Sequence, residues 1–192
     1  MRAVKRTSSV SRRRGVIDVL EFGSGNGKWM AEKAKQNRRK LHVAVEHAWS
    51  AREREQTAND YYKQQAGSPP KGLVVTSSTT MENFIKGMLR NNIVANNIFV
   101  RMPDWVHVRT RTMNFGLLMK NAKKLLLRKG RITLTTENKE ILTYIKGLAW
   151  KAGLSVKSVP VLPETFHEKK YSDHPLAGHM LYGIEISLSK KR

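Results

Sequence analysis

Short apolar runs alternate with longer amphipathic stretches over most of the chain. Seven runs have the length and composition of strands, at residues 16–22, 41–45, 72–76, 97–100, 131–136, 154–159 and 181–188. Helical spacing of the apolar positions falls between them, at residues 28–37, 49–65, 81–90, 114–127 and 140–151. Strands and helices that alternate in this way indicate an α/β fold around a mostly parallel sheet.

Two glycines and one tryptophan add detail to this pattern. Gly130 follows two basic residues, so we predict that it ends the helix at residues 114–127. Gly153 is predicted to end the helix at residues 140–151 in the same way. Trp150 falls within that second helix and is predicted to pack in the core.

Residues 1–14 depart from the pattern, with six basic side chains, three serines and no acid. We predict a flexible basic arm that contacts phosphates, followed by a single domain at residues 15–192. An Arg- and Ser-rich segment without acids is also typical of an organellar transit peptide, which is the alternative. The expected location is therefore intracellular and cytoplasmic, or an organellar matrix if this segment is a transit peptide.

The charge of the chain points to its partner. The 36 Lys and Arg residues outnumber the 15 Asp and Glu residues, which leaves a net charge of +21. Such a field attracts polyanions, and basic residues recur along the whole length, so nucleic acid is the expected partner. No apolar run reaches the about 18 residues of a membrane helix, so no membrane partner is expected. The chain has no cysteine and its six histidines match no ligand spacing, so no metal is expected either.

A glycine-rich turn directly follows the first predicted strand. The turn places glycines at alternate positions: Gly23, Gly25 and Gly27. Glycines let the backbone approach a ligand closely, and the next helix offers unpaired N–H groups. Glu21 just before the turn would repel a diphosphate but suits the cationic groups of S-adenosylmethionine. Glu46, at the end of the second strand, is placed to accept both ribose hydroxyls, which weakens the alternative that the turn is purely structural.

A second set of polar residues follows the fourth and fifth predicted strands. Asp104 lies between Pro103 and Trp105, and Glu137 follows the fifth strand. Because ligands of open α/β sheets bind at the carboxyl ends of the strands, these residues should converge with Glu21 and Glu46. Basic residues and a histidine follow Asp104, at His107, Arg109 and Arg111. An acid amid bases suits a nucleobase with phosphates nearby, whereas a turn cap paired to Arg109 is the plainer interpretation of Asp104.

At these motifs the chain resembles the class I S-adenosylmethionine-dependent tRNA (guanine-N7-)-methyltransferases. Residues 19–28, Val-Leu-Glu-Phe-Gly-Ser-Gly-Asn-Gly-Lys, look like the first motif of the family, and residues 43–46 like its ribose-binding strand end. Met-Pro-Asp-Trp at residues 102–105 is similar to the Phe-Pro-Asp-Pro-Trp signature, without its second proline. Thr-Phe-His-Glu at residues 165–168 is similar to the late Thr-x-Tyr-Glu motif. The resemblance covers residues 16–190 in the expected order.

The resemblance implies a Rossmann-like fold with a seven-stranded, mostly parallel sheet, helices on both faces and an antiparallel last strand. It also implies an enzyme that binds S-adenosylmethionine through the first motif, Glu46 and Ser78, which stands where the family carries an acid or amide. Asp104 would be the catalytic residue, accepting hydrogen bonds from the guanine. The other implied substrate-binding residues are His107, Arg109, Arg111, Glu137, Thr165 and Glu168.

Three functions stay open at this point. The first is methyl transfer to guanine N7 in RNA, chiefly tRNA, by a monomer or homodimer. The second is a methyltransferase-like protein without catalysis that binds RNA during ribonucleoprotein or ribosome assembly, which the charge and the Ser77-Ser78 pair favour. The third is a methyltransferase with another substrate, such as ribosomal RNA or a protein, against which the motifs at residues 102–105 and 165–168 argue.

Overall fold

The computed structural model describes residues 14–24, 28–46, 72–76, 79–101, 113–161 and 181–189. These residues form seven strands and four helices in an α/β arrangement. The strands are β1 (Gly15–Phe22), β2 (His42–Val45), β3 (Leu73–Thr76), β4 (Ile93–Arg101), β5 (Leu126–Thr136), β6 (Leu154–Val159) and β7 (Tyr182–Leu188). The helices are α1 (Lys28–Gln36), α2 (Met81–Arg90), α3 (Phe115–Leu125) and α4 (Lys139–Lys151). No helix in this described part is long and apolar enough to cross a membrane.

All seven strands belong to one sheet, in the order β3-β2-β1-β4-β5-β7-β6. The first five strands in this order, β3, β2, β1, β4 and β5, each pair in parallel with the next. Strand β7 runs antiparallel to both of its neighbours, β5 and β6. The chain crosses from β3 back to β4 at the centre, so the order reverses between β1 and β4. The predicted sheet, with its antiparallel last strand, is confirmed.

Polar side chains fix the beginnings of three helices. Thr80 accepts a hydrogen bond from Asn83 N (3.2 Å), and Asn114 accepts one from Leu117 N (2.9 Å). Asn138 accepts from two backbone N–H groups at the start of α4, at 2.9 and 3.1 Å. A side-chain oxygen at this position replaces partners that the first turn of a helix lacks. The helix starts predicted at residues 81, 114 and 140 therefore lie within one residue of those observed.

The two faces of the sheet are covered by different helices. The face that packs against α2, α3 and α4 is apolar and includes the buried Phe22, Ile98 and Val100. The opposite face packs against α1 through Trp29, whose apolar contacts there include Phe99. Because side chains alternate along a strand, neighbouring residues of β4 serve different faces. Helices on both faces, as predicted, are confirmed.

One buried histidine lies at the start of β2. His42 is 1% exposed, and its Nδ1 donates a hydrogen bond to the Lys40 carbonyl (3.0 Å). Burial lowers the pKa of His42 below its ordinary value of 6.5, because the charged imidazolium would lose its hydration. Burial within the sheet thus disfavours the charged form of the ring.

The predictions for Gly130 and Trp150 are wrong. Gly130 does not end a helix: α3 stops at Leu125, and Gly130 lies inside β5, where a Cβ would be 2.9 Å from Asn96 O. Pairing of Leu126 with Ala95 draws this segment into the sheet despite its helix-forming composition. Trp150 is 65% exposed on α4 and does not pack in the core. By contrast Gly153 has φ +67°, as a glycine that ends a helix requires.

Candidate active site

The candidate site begins where β1 and β2 end. Phe22 pairs with Val45, and both Gly23 N and Ser24 N donate hydrogen bonds to Val45 O, at 3.0 and 3.3 Å. These bonds attach the glycine turn after β1 to the end of β2. They bring the predicted residues Glu21, Gly23 and Glu46 to the same edge of the sheet, next to the reversal of strand order between β1 and β4. This edge is where α/β sheets bind ligands.

Gly23 has a backbone that other residues rarely adopt. Its φ is +76°, and a Cβ built there would lie 2.5 Å from Met113 Cε. The absence of a side chain therefore lets the turn pass close to its surroundings. Ser24 follows, and its Oγ is buried without a hydrogen-bond partner. Buried hydroxyls are nearly always paired, so this oxygen is suited to a polar ligand group.

Glu21 is held in a buried ion pair. Its carboxylate is 2% exposed, and Oε1 lies 3.3 Å from Nε of Arg101, whose side chain is 9% exposed. Glu21 ends up here because it leaves β1 on the α1 face, and Arg101 leaves β4 on the same face two residues after Phe99. The pair places two opposite charges, both withdrawn from water, beside the glycine turn.

Two aromatic rings fix the guanidinium of Arg101. Its Cζ lies 3.8 Å from the centroid of the Trp29 ring and 5.2 Å from that of Phe99. The two rings meet edge to face, with centroids 5.1 Å apart. A guanidinium over aromatic faces gains cation–π attraction and keeps its plane. Trp29, at 8% exposure, is therefore a buried platform for Arg101.

Glu46 and Glu137 mark the two sides of this edge. Glu46 is half-buried and directly follows β2. Glu137 is also half-buried and directly follows β5, which pairs with β4 on the side away from β1. The carboxyl edge of the sheet thus presents acids after β2 and β5 with the Glu21–Arg101 pair between them.

Four predicted site residues lie in the described ranges: Glu21, Gly23, Glu46 and Glu137. All four lie at the carboxyl edge. The remaining ones fall outside the described residues: Gly25, Gly27, Ser78, Asp104, His107, Arg109, Arg111, Thr165 and Glu168. In the part of the chain with described positions, no three His, Asp or Glu side chains group closely enough to hold a metal ion.

Sequence reasoning missed Arg101. Strand four was predicted at residues 97–100, whereas β4 begins four residues earlier and continues to Arg101. The sequence does contain a signal for Arg101: side chains alternate between the two faces of a strand, so a residue two positions after Phe99 must lie on the same face as Phe99. Only the pairing of β4 with β1 shows that this face also carries Glu21.

The strand order is that of a Rossmann-like sheet, a fold that this chain shares with methyltransferases of known structure. Solved structures with this fold include a precorrin-6y C5,15-methyltransferase from Geobacter metallireducens GS-15, with TM-score 0.59 and 14% identity over 93% of this chain and 83% of that one. A 16S rRNA (adenine(1408)-N(1))-methyltransferase mutant from Catenulisporales acidiphilia, solved with its cosubstrate SAM, matches with TM-score 0.56 and 15% identity over 94% and 88%. The 16S rRNA methyltransferase KamB matches with TM-score 0.58 and 15% identity over 94% and 90%.

At such low identity these likenesses establish the fold alone. No protein-family model matches the chain, and no curated protein matches its sequence. The chemistry therefore has to be argued from the residues of the site.

Proposed function

We propose that this chain is an S-adenosylmethionine-dependent RNA methyltransferase that acts on guanine N7, with tRNA as the substrate. The observation that carries the proposal is the turn at Gly23, tied to the end of β2 so that Glu21 and Glu46 flank it. The methyltransferase fold supports the cofactor, and the net charge of +21 supports an RNA substrate. Two of the structural neighbours described above act on 16S rRNA by name, which also favours RNA.

The described residues fit this cofactor. Gly23 lets the turn adopt a φ of +76° and pass close to Met113, and the buried Ser24 Oγ can hydrogen-bond to a polar group of the cofactor. Glu46 would accept hydrogen bonds from the two ribose hydroxyls, because it follows the strand next to the turn. Glu21 would hold the ammonium group of the amino-acid end. Gly25, Gly27 and Ser78 would complete this pocket, as the sequence motifs imply.

Little catalytic machinery is needed for this reaction. When bound, S-adenosylmethionine supplies an electrophilic methyl group on sulfur. Guanine N7 already has an in-plane lone pair, so the residues of the chain only have to position the base and offset the charge that grows on its ring. Asp104 would do so by accepting hydrogen bonds from guanine N1–H and the exocyclic amine.

Of the proposed substrate residues, Glu137 lies among the described residues. It follows β5, on the far side of β4 from the turn, where a base facing the cofactor would approach. Thr165 and Glu168 would contact the same base, while His107, Arg109 and Arg111 would bind phosphates beside it. The acids would therefore read the base, and the basic residues would hold the backbone of the RNA.

The test is transfer of labelled methyl groups to RNA transcripts, followed by digestion to nucleosides and their identification. We expect 7-methylguanosine in tRNA and no product from Asp104→Ala, which should keep its affinity for the cofactor. Glu140→Ala, which removes an exposed acid in the first turn of α4, is the matched control and should remain active. A methylated adenosine as the product would contradict the guanine assignment.

A second candidate function is RNA binding without catalysis, as in ribonucleoprotein assembly. The Glu21–Arg101 ion pair favours it, because Arg101 offsets the negative charge that would attract a cationic cofactor. At +21 the chain should bind RNA non-specifically in either case, with affinity that falls steeply as salt rises. RNA binding thus does not separate the two functions, whereas cofactor binding does.

A further inference from the structure

The Glu21–Arg101 pair is an unusual arrangement for a site that takes a cation. A single buried carboxylate would attract any cationic ligand. Here the carboxylate is paired with a guanidinium 3.3 Å away, so the pair presents both charges and has no net charge of its own. A ligand matches such a site best when it also carries both charges on adjacent groups.

We propose that Arg101 and Glu21 together form a receptor for the zwitterionic amino-acid end of the cofactor. Arg101 binds the α-carboxylate and Glu21 binds the α-ammonium group. This inference rests on the proposed function, since it assumes that S-adenosylmethionine occupies this edge of the sheet. It adds a residue that sets the specificity of the site, namely which cofactor-like molecules the chain accepts.

The geometry of Arg101 supports this role. A guanidinium presents its N–H donors in a planar fork that matches a carboxylate, which suits Arg101 to the carboxylate of a ligand. Trp29 lies 3.8 Å beneath the guanidinium and holds its plane, which lowers the entropy cost of binding.

Arg101 also lies next to the glycine turn. A Cβ on Gly23 would be 3.7 Å from the backbone oxygen of Arg101, so the end of β4 and the turn are in contact distance. A ligand held against the turn therefore lies within reach of a long side chain from β4. The burial of both charged groups strengthens their interaction with such a ligand, because little water screens it.

The test compares S-adenosylmethionine with decarboxylated S-adenosylmethionine, which keeps every group except the carboxylate. Calorimetry on the full chain should show that the wild type prefers the intact cofactor by about 10- to 100-fold, as expected for a charge-assisted hydrogen bond. In Arg101→Met the preference should fall to within about 3-fold, because the decarboxylated compound no longer meets a repelling cation. Arg131→Met is the matched control, since it removes an arginine paired to Glu185 at 2.8 Å on β5, and should keep the wild-type preference.

Folding is controlled separately. Arg101→Met leaves Glu21 buried without its cation, which can destabilise the chain. The double variant Glu21→Gln/Arg101→Met removes both charges, and thermal melting establishes whether it is folded. This folded double variant should bind both compounds with similar, weakened affinity.

Each outcome supports or overturns the proposal. If the wild type binds both compounds equally, the carboxylate has no receptor and the inference is wrong while the proposed function stands. If Arg101→Met binds S-adenosylmethionine more tightly than the wild type, Arg101 competes with the cofactor for Glu21, and the inference is also wrong. If the folded wild type binds neither compound, the proposed function fails, and the inference fails with it.

Discussion

The two faces of strands β1 and β4 differ in character: one is apolar, and the other carries a buried ion pair. On the face toward α2, α3 and α4, Phe22 and Val100 pack in a continuous apolar core. On the face toward α1, Glu21 and Arg101 form a buried ion pair over Trp29. One step along a strand therefore separates a residue that supports the fold from one that can bind a ligand. We therefore expect substitutions on the apolar face to act mainly on stability, and substitutions on the α1 face to act on ligand binding as well.

The largest effect should come from truncating the apolar face. Phe22 is 1% exposed and meets the Phe84 ring edge to face, so Phe22→Ala should lower the free energy of unfolding by about 3–5 kcal/mol. The matched change Phe99→Ala, on the α1 face, removes a half-buried ring and should cost clearly less. Urea unfolding of both variants measures the difference. Equal losses in the free energy of unfolding would show that the two faces contribute equally to stability.

Two glycines with positive φ, Gly72 just before β3 and Gly23 just after β1, allow stability and cofactor binding to be compared. Gly72 has φ +84°, and a Cβ there would lie 2.6 Å from the Lys40 backbone oxygen, so Gly72→Ala should cost at least about 2 kcal/mol. Gly23→Ala would meet the movable end of Met113 instead and should cost less stability. It should nevertheless weaken cofactor binding at least about 10-fold, because alanine is strained at a φ of +76° and the turn would shift away from Met113. Unfolding and calorimetry on both variants would contradict this if Gly72→Ala lost binding and Gly23→Ala kept it.

A smaller effect is expected at the start of α4. Asn138→Ala removes an oxygen that accepts from Glu140 N and Ile141 N, and should lower the free energy of unfolding by about 1 kcal/mol. Cofactor affinity should not change, because the cap only supports the helix. A thermal shift with unchanged affinity is the expected result, and a loss of affinity without a thermal shift would place Asn138 in the site.

The smallest effect is a pH dependence that His42 imparts. Its pKa is lowered in the folded state by burial, so the unfolded chain binds the proton more strongly. Stability is therefore complete above the ordinary value of 6.5 and is lost as pH falls below it. The slope of the melting temperature between about pH 7.5 and about pH 5 should be shallower in His42→Gln than in the wild type. An unchanged slope would show that other groups cause it.

The sequence predicts most of the fold because local signals agree with the tertiary pattern. The helix at residues 81–90 and the strand at residues 154–159 are observed with the predicted bounds, since each has a clear period and a cap or turn beside it. Prediction failed where pairing decides the structure. Residues 126–130 are composed like the end of a helix, yet they belong to β5, where Leu126 pairs with Ala95 and the register shifts before pairing resumes at Arg131.

The residues of the candidate site also differ in whether the sequence alone predicts them. Glu21 and Glu46 could be assigned to one edge because each ends an apolar run of a parallel sheet. Arg101 could not, because a charged residue after the apolar run at residues 98–100 looks like the end of the strand, and its partner Glu21 lies 80 positions away in the sequence. Such a contact is visible only once β1 and β4 are paired.

Calorimetry of S-adenosylmethionine binding to the purified full chain tests the central claim most directly. The account predicts affinity in the range of about 1–100 μM, lost in Glu46→Ala and retained in Arg131→Met, with all three proteins folded. Absence of binding to the folded wild type would contradict the account and leave RNA binding without catalysis as the function of this sheet edge.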